Sequence, residues 1–172
     1  MIVSQRLATL VFSLQLALLP SAFAEEKLQC PDKKAPEQKV DDGVRWQFCS
    51  KKKGIPDGPS IGFDSVTGFK KFQGSYAEGV REGVWKEFYA DGKVMAEYTV
   101  KAGKESGPFT KFHPNGEKRA SGTLDDGDPS GQWTFWDDSG KQLAQGPYGQ
   151  VKPVIDAWAK AHEGGGRAPA NK

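Results

Sequence analysis

The sequence predicts an all-β fold: one elongated antiparallel sheet of stacked β-hairpins, finished by a short C-terminal helix. Three observations carry this reading. The stretch from Gly83 to Tyr148 repeats with a step of 24, which aligns Gly83, Gly107 and Gly131, then Trp85, Phe109 and Trp133, then Phe88, Phe112 and Trp136, then Gly92, Gly116 and Gly140. Ala96, Ala120 and Ala144 follow in the same register, and after them Val100, Leu124 and Tyr148. A fixed period of this length marks an array of one supersecondary unit, in which neighbours bury what a lone unit cannot. Each unit also sets Asp91-Gly92, Asn115-Gly116 or Ser139-Gly140 between two short apolar-patterned runs, a strong local signal for a hairpin. Finally, 21 of 172 residues are glycine, an excess over the average of about 7% that sits mostly at the repeat turns.

Taken in order, residues 1–24 read as a secretory signal peptide. Arg6 supplies the positive start, Leu7 to Leu19 the apolar run, and Ala22-Phe23-Ala24 the small residues before cleavage after Ala24. The apolar run, about 13 residues, is too short for the ~20 a membrane-spanning helix needs. The expected location is therefore secreted or periplasmic. Residues 25–54 form an N-terminal segment in which Val44, Trp46 and Phe48 alternate with polar residues, the period of a half-buried strand. Cys30 and Cys49 are the two cysteines, and in an oxidising compartment they are expected to pair in a disulfide.

Residues 55–149 hold the repeats. A worn first unit precedes the three regular ones: Gly58 stands 25 residues before Gly83, with Ser60 where the others carry a ring. In each unit a first strand (Val84–Tyr89, Pro108–His113, Gln132–Asp137) leads through the turn to a second (Val94–Val100, Lys118–Leu124, Gln142–Tyr148). Gly79 to Gly83, Gly103 to Gly107 and Gly127 to Gly131 are expected to form looser connections. Ala120 and Gly122, or Ala144 and Gly146, leave shallow places into which rings fit. Trp85 and Phe88 are three apart, so either a bulge intervenes or both faces carry aromatics. In residues 150–172, Val151 stands where the period calls for glycine. Val154, Ile155 and Trp158 recur at helical spacing, predicting a helix that caps the last hairpin, followed by a disordered tail from Gly164.

The unit G-x-W-x-x-F-x-x-x-G-K, carried by Gly83, Trp85, Phe88, Gly92 and Lys93 and again by Gly131, Trp133, Trp136, Gly140 and Lys141, resembles the MORN repeat. The step of 24 is similar to its bacterial MORN-variant branch, whose members are labelled antitoxin-like. The resemblance covers Gly58 to Tyr148. It implies an elongated sheet of hairpins used for protein interaction, self-association or, in some members, lipid contact, and it implies no catalytic residues. The antitoxin label fits poorly with an export signal and is not carried over.

The chemistry of the chain points the same way. His113 falls at a repeat position held elsewhere by Tyr89 and Asp137, the pattern of a solvent-facing variable site, and His162 lies near the tail. No serine sits in G-x-S-x-G. Asp125-Asp126-Gly127-Asp128 lacks the spacing of a calcium loop, and the equivalent loop one unit earlier is basic. No enzyme activity, metal or cofactor is expected. With 24 basic and 22 acidic residues, no basic field exists to hold nucleic acid. The expected function is a non-enzymatic exported scaffold that binds an unidentified protein partner in the cell envelope, with Tyr89, His113 and Asp137 as candidate partner surface. A cell-wall or glycan-binding module, using exposed rings as stacking platforms, is the alternative; a membrane-surface module is a weaker one.

Overall fold

The computed structural model describes residues 26–162. The signal peptide, its cleavage point and the tail from Gly164 lie outside the described residues. Ten strands follow one another in chain order: β1 (Glu37–Asp41), β2 (Val44–Lys52), β3 (Ile55–Asp64), β4 (Lys70–Ala77), β5 (Val80–Phe88), β6 (Val94–Lys101), β7 (Lys104–Phe112), β8 (Lys118–Asp125), β9 (Asp128–Trp136) and β10 (Gln142–Pro147). They form one antiparallel sheet in which each strand pairs only with its sequence neighbours, and α1 (Tyr148–His162) closes the chain. The single sheet of stacked hairpins and the terminal helix are as the sequence predicts. The sheet begins earlier than predicted, with β1, and the boundary drawn at residue 54 falls in the turn between two paired strands.

The turns are the reverse of the expectation. Glu78-Gly79, Ala102-Gly103 and Asp126-Gly127 are two-residue turns with positive φ at both positions, joining strands that pair at Ala77 with Val80, Lys101 with Lys104 and Asp125 with Asp128. This is the tight hairpin geometry whose twist matches that of the strands. The looser loops are those containing Asp91-Gly92, Asn115-Gly116 and Ser139-Gly140. There Tyr89 N–H donates to Lys93 O, and Gly92 N–H donates back to Tyr89 O, both at 2.9 Å. These bonds describe a three-residue loop with glycine in the left-handed position. Asp91 and Asn115 serve as acceptors rather than as left-handed residues: each side-chain oxygen takes the N–H two residues on, at 3.1 and 3.0 Å.

The supposed connecting glycines Gly83, Gly107 and Gly131 lie inside strands, at bulges. Each has positive φ and stands where the register with the preceding strand shifts, opposite the interval Gln73/Ser75, Tyr98/Val100 or Ser121/Thr123. Gly58 does the same against β2, which gives the worn first unit its place in the array. A bulge kinks and further twists its strand, and only glycine takes this backbone without strain.

The bulges aim one ring per unit at the preceding strand, and the register fixes the faces. Trp85, Phe109 and Trp133 share one face with Trp46, Phe72, Tyr76 and Tyr98. A Cβ placed on Gly74 would lie 2.2 Å from Trp85, and one on Gly122 would lie 2.2 Å from Trp133. Each tryptophan thus rests directly on a glycine, and Trp85 is 1% exposed. Between them Phe109 stacks on Tyr98, ring centroids 6.4 Å apart. Phe88, Phe112 and Trp136 point to the opposite face, so the sheet carries aromatics on both sides. Most of that second face is polar, but its N-terminal corner is covered. The segment before β1 is fastened there by the Cys30–Cys49 disulfide and by Leu28 N–H donating to Gln47 Oε1 at 3.3 Å, and Ile61 and Phe63 are buried in the same corner.

Helix α1 packs on the ladder face at the other end. Val151 joins Ala120, Leu124 and Trp133 in one buried cluster, and the Tyr148 ring lies 5.2 Å from that of Trp133. The anchor is Val151, the residue at which the period breaks. Val154, expected in the contact, is 53% exposed.

Candidate binding surface

Covered by α1 over β8–β10, the ladder face carries no other described segment from β2 to β7. Its buried floor there is Trp85, Ala96, Tyr98 and Val100, and half-buried Trp46, Phe72, Tyr76 and Phe109 stand around it. Trp46 stacks on Phe72 with centroids 5.7 Å apart, and its edge meets Trp85 at 6.2 Å. Two clefts open on either side of the Trp46–Tyr76 pair. One, of about 190 Å³, is lined by Phe72, Arg81, Trp85, Glu87, Tyr98 and Glu105 in addition to that pair. The other, of about 260 Å³, runs toward β1 past Lys39, Asp41, Phe48 and Ser60.

The polar groups in this trough are linked. The Arg81 guanidinium lies over the Trp85 ring, 4.3 Å from its centroid, and donates to Tyr98 Oη at 2.8 Å, with Glu105 at 3.9 Å. Tyr98 in turn donates to Glu87 Oε1 at 3.2 Å. Burial and, after it, the neighbouring Glu87 carboxylate push the Tyr98 phenol up to about 12. Trp133 Nε1 donates to Ser130 O at 3.0 Å, whereas Trp85 Nε1, in the same pose on its glycine, has no partner within range. The arrangement offers flat apolar surface beside fixed donors and acceptors, the composition of a recognition site.

The candidate partner residues have internal work. Tyr89 Oη donates to Phe112 O at 2.7 Å, and His113 Nε2 donates to Trp136 O at 3.0 Å, the same bond one unit later. His113 is 9% exposed and is not the solvent-facing site its variability predicts. Variation at this position follows from the requirement itself, since any side chain that can donate across to the next unit meets it. Asp137 has no following unit. Its Oδ1 accepts from Ser139 N–H, Ser139 Oγ and Lys141 N–H at 3.0, 2.6 and 2.9 Å, with the Ser139 side chain the largest reason its carboxyl is held below the usual range. The opposite hairpin ends are tied as well. Gly79, Gly103 and Gly127 N–H donate to Pro56, Arg81 and Glu105 O at 2.7, 3.0 and 2.8 Å.

Sequence reasoning missed Trp46, Arg81, Glu87 and Glu105. One signal was available: the column Gly74, Tyr98, Gly122 runs beside the column Trp85, Phe109, Trp133, so a large residue replaces glycine only where the facing ring shrinks. Trp46 lies outside the period, and Arg81 and Glu105 sit in the stretches Gly79–Gly83 and Gly103–Gly107, which the sequence predicts to be connections.

Among the described residues, no helix is long and apolar enough to cross a membrane and no group of three or more potential metal ligands converges. No curated protein matches the chain. Two solved structures are similar to parts of this chain. A glycosylation-associated protein complex from Streptococcus agalactiae is 13% identical with a TM-score of 0.47 over 76% of this chain and 24% of that one. The GtfA/B complex bound to UDP and GlcNAc is 14% identical with a TM-score of 0.33 over 81% and 30%. This chain therefore spans less than a third of either. A family model, the MORN repeat variant, matches residues 81–102, which run from the start of β5 to the turn after β6. With that match set in a register of glycine bulges and rings that holds on either side of it, the chain carries MORN-type repeats.

Proposed function

We propose that this chain is an exported, non-enzymatic scaffold that binds a protein partner on the ladder face between β2 and β7. The observation that carries the reading is the cluster of half-buried rings, Trp46, Phe72, Tyr76 and Phe109, on the stretch of that face beyond the helix. Grouped aromatics around polar anchors are the usual make-up of interface hot spots. The export signal in the sequence and the buried Cys30–Cys49 disulfide support a location outside the reducing cytoplasm. Affinity capture from the native envelope tests this with three baits: the wild-type chain, Trp46→Ala/Tyr76→Ala, and Trp136→Ala on the opposite face. A partner retained by the first and third and lost by the second is expected. One retained by all three would remove the face from consideration, and turnover of a substrate abolished by a single substitution would refute the scaffold reading.

A second reading, glycan binding, draws on the Arg81–Tyr98–Glu87 chain beside the rings, because sugars need both flat apolar surface and hydrogen-bond partners. Co-sedimentation with purified wall polysaccharide, lost in Trp46→Ala, is the result that would favour it.

A further inference from the structure

The way α1 sits on the ladder bears on what the open stretch accepts. The inner strands already spend their backbone N–H and C=O groups on neighbours within the sheet, from β2 through β9. A segment laid across the face finds no backbone to pair with there. An extended segment would bury unpaired polar groups, each costly in free energy, unless it moved to an edge strand. A helix satisfies its own backbone and brings only side chains to the surface. Among the described residues there is such a contact: α1 seats Val151 on Gly146, where an added Cβ would stand 3.2 Å from Val151 Cγ1, and lays Tyr148 against Trp133.

Resting on the reading of this face as a protein-binding surface, we propose that the trough between β2 and β7 receives an amphipathic helix of the partner. Two large apolar residues of that helix enter the clefts on either side of the Trp46–Tyr76 pair. The clefts, about 190 and 260 Å³, each exceed the ~150 Å³ that houses a benzene ring, so each takes one such side chain. They share Trp46 and Tyr76 as a common wall, which sets the anchors a ring's breadth apart, on the order of one to two helical turns. Glu87 and Glu105 outnumber Arg81 in the smaller cleft, so a basic residue belongs beside the anchor that fills it.

The test pans a displayed library of peptides, helical and extended scaffolds mixed, against the exported chain with its disulfide intact. Enriched peptides are then measured by fluorescence titration and circular dichroism. Expected are sequences with apolar pairs at i,i+4 or i,i+7 and a nearby Lys or Arg, which gain helicity on binding. Their affinity should fall at least tenfold in Trp46→Ala and in Glu87→Lys, the second variant leaving every ring in place, and should be unchanged in Trp136→Ala. Enriched peptides that are sensitive to Trp46→Ala but bind without helicity would overturn the helix and leave the protein-binding face standing. Binders insensitive to both trough variants, together with polysaccharide binding lost in Trp46→Ala, would overturn the protein reading as well.

Discussion

Gly122 shows how far a single hydrogen atom decides this fold. An alanine there would place its Cβ 2.2 Å from Trp133 Cδ2, with the ring pinned between β8 and the helix. Gly122→Ala is expected to destabilise by roughly 1–3 kcal/mol, the range for overpacking. Gly116→Ala meets nothing within 4 Å and bears only the strain of its positive φ, about 1 kcal/mol. The Tyr98–Phe109 pair gives the sharper form of the test. Gly122→Tyr should be much less damaging when Trp133→Phe accompanies it, with a coupling of about 0.5–3 kcal/mol in urea-denaturation cycles. Tyr98 makes a second prediction at this scale. Its phenol ionises at about 12 in the folded chain against an ordinary 10.0. Because the folded value is raised, the stabilisation is complete below pH 10 and is lost as the pH climbs toward 12. An ultraviolet titration should find one of the four tyrosines ionising last, and Tyr98→Phe should remove that step.

At the scale of the hairpin, each unit is bound to the next at both ends. Tyr89→Phe deletes one donor and leaves the Phe112 carbonyl without it, so a loss of about 1 kcal/mol is expected, read as faster hydrogen exchange in β6 and β7. Because the bond is internal, partner capture should be unaffected. The hairpins were legible in the sequence because ring, glycine and alanine recur at a step of 24. Their turns were not. In the three regular units glycine occurs at both ends of the hairpin, and what separates tight turn from loop there is whether the residue before it also turns left-handed, as Ala102 does with φ 48° against any propensity. β1 left no trace for another reason: Glu-Gln-Lys-Val-Asp at an edge buries little and so needs no alternation. The binding trough was the least legible feature, since it joins Trp46 from outside the array to Arg81 and Glu105 near the bulges, and only the sheet register brings them together.

Over the whole molecule, the two ends of the described residues cover opposite faces at opposite ends of the sheet, the segment before β1 over β2 and β3, the helix over β8 to β10. The open ladder is what this diagonal arrangement leaves. Removing the disulfide, as Cys30→Ser/Cys49→Ser, relaxes a loop of 19 residues and should lower stability by about 3 kcal/mol. In an array coupled only between neighbours the effect should stay local. Hydrogen exchange is expected to rise around Ile61 and Phe63 and to stay level around Trp133; a uniform rise would mean that the sheet melts as one block.

Strands that follow one another in chain order also give the molecule a mechanical character. Tension between its two ends acts across the sheet, along the inter-strand hydrogen bonds, and loads them one strand pair at a time. Such a sheet should open hairpin by hairpin, each unit of 24 residues releasing about 80 Å of chain, while the Cys30–Cys49 bond withholds its own loop from extension. An optical trap would record an even staircase. Anchored between two bodies, the protein would serve as an extensible tether graduated by its own repeat.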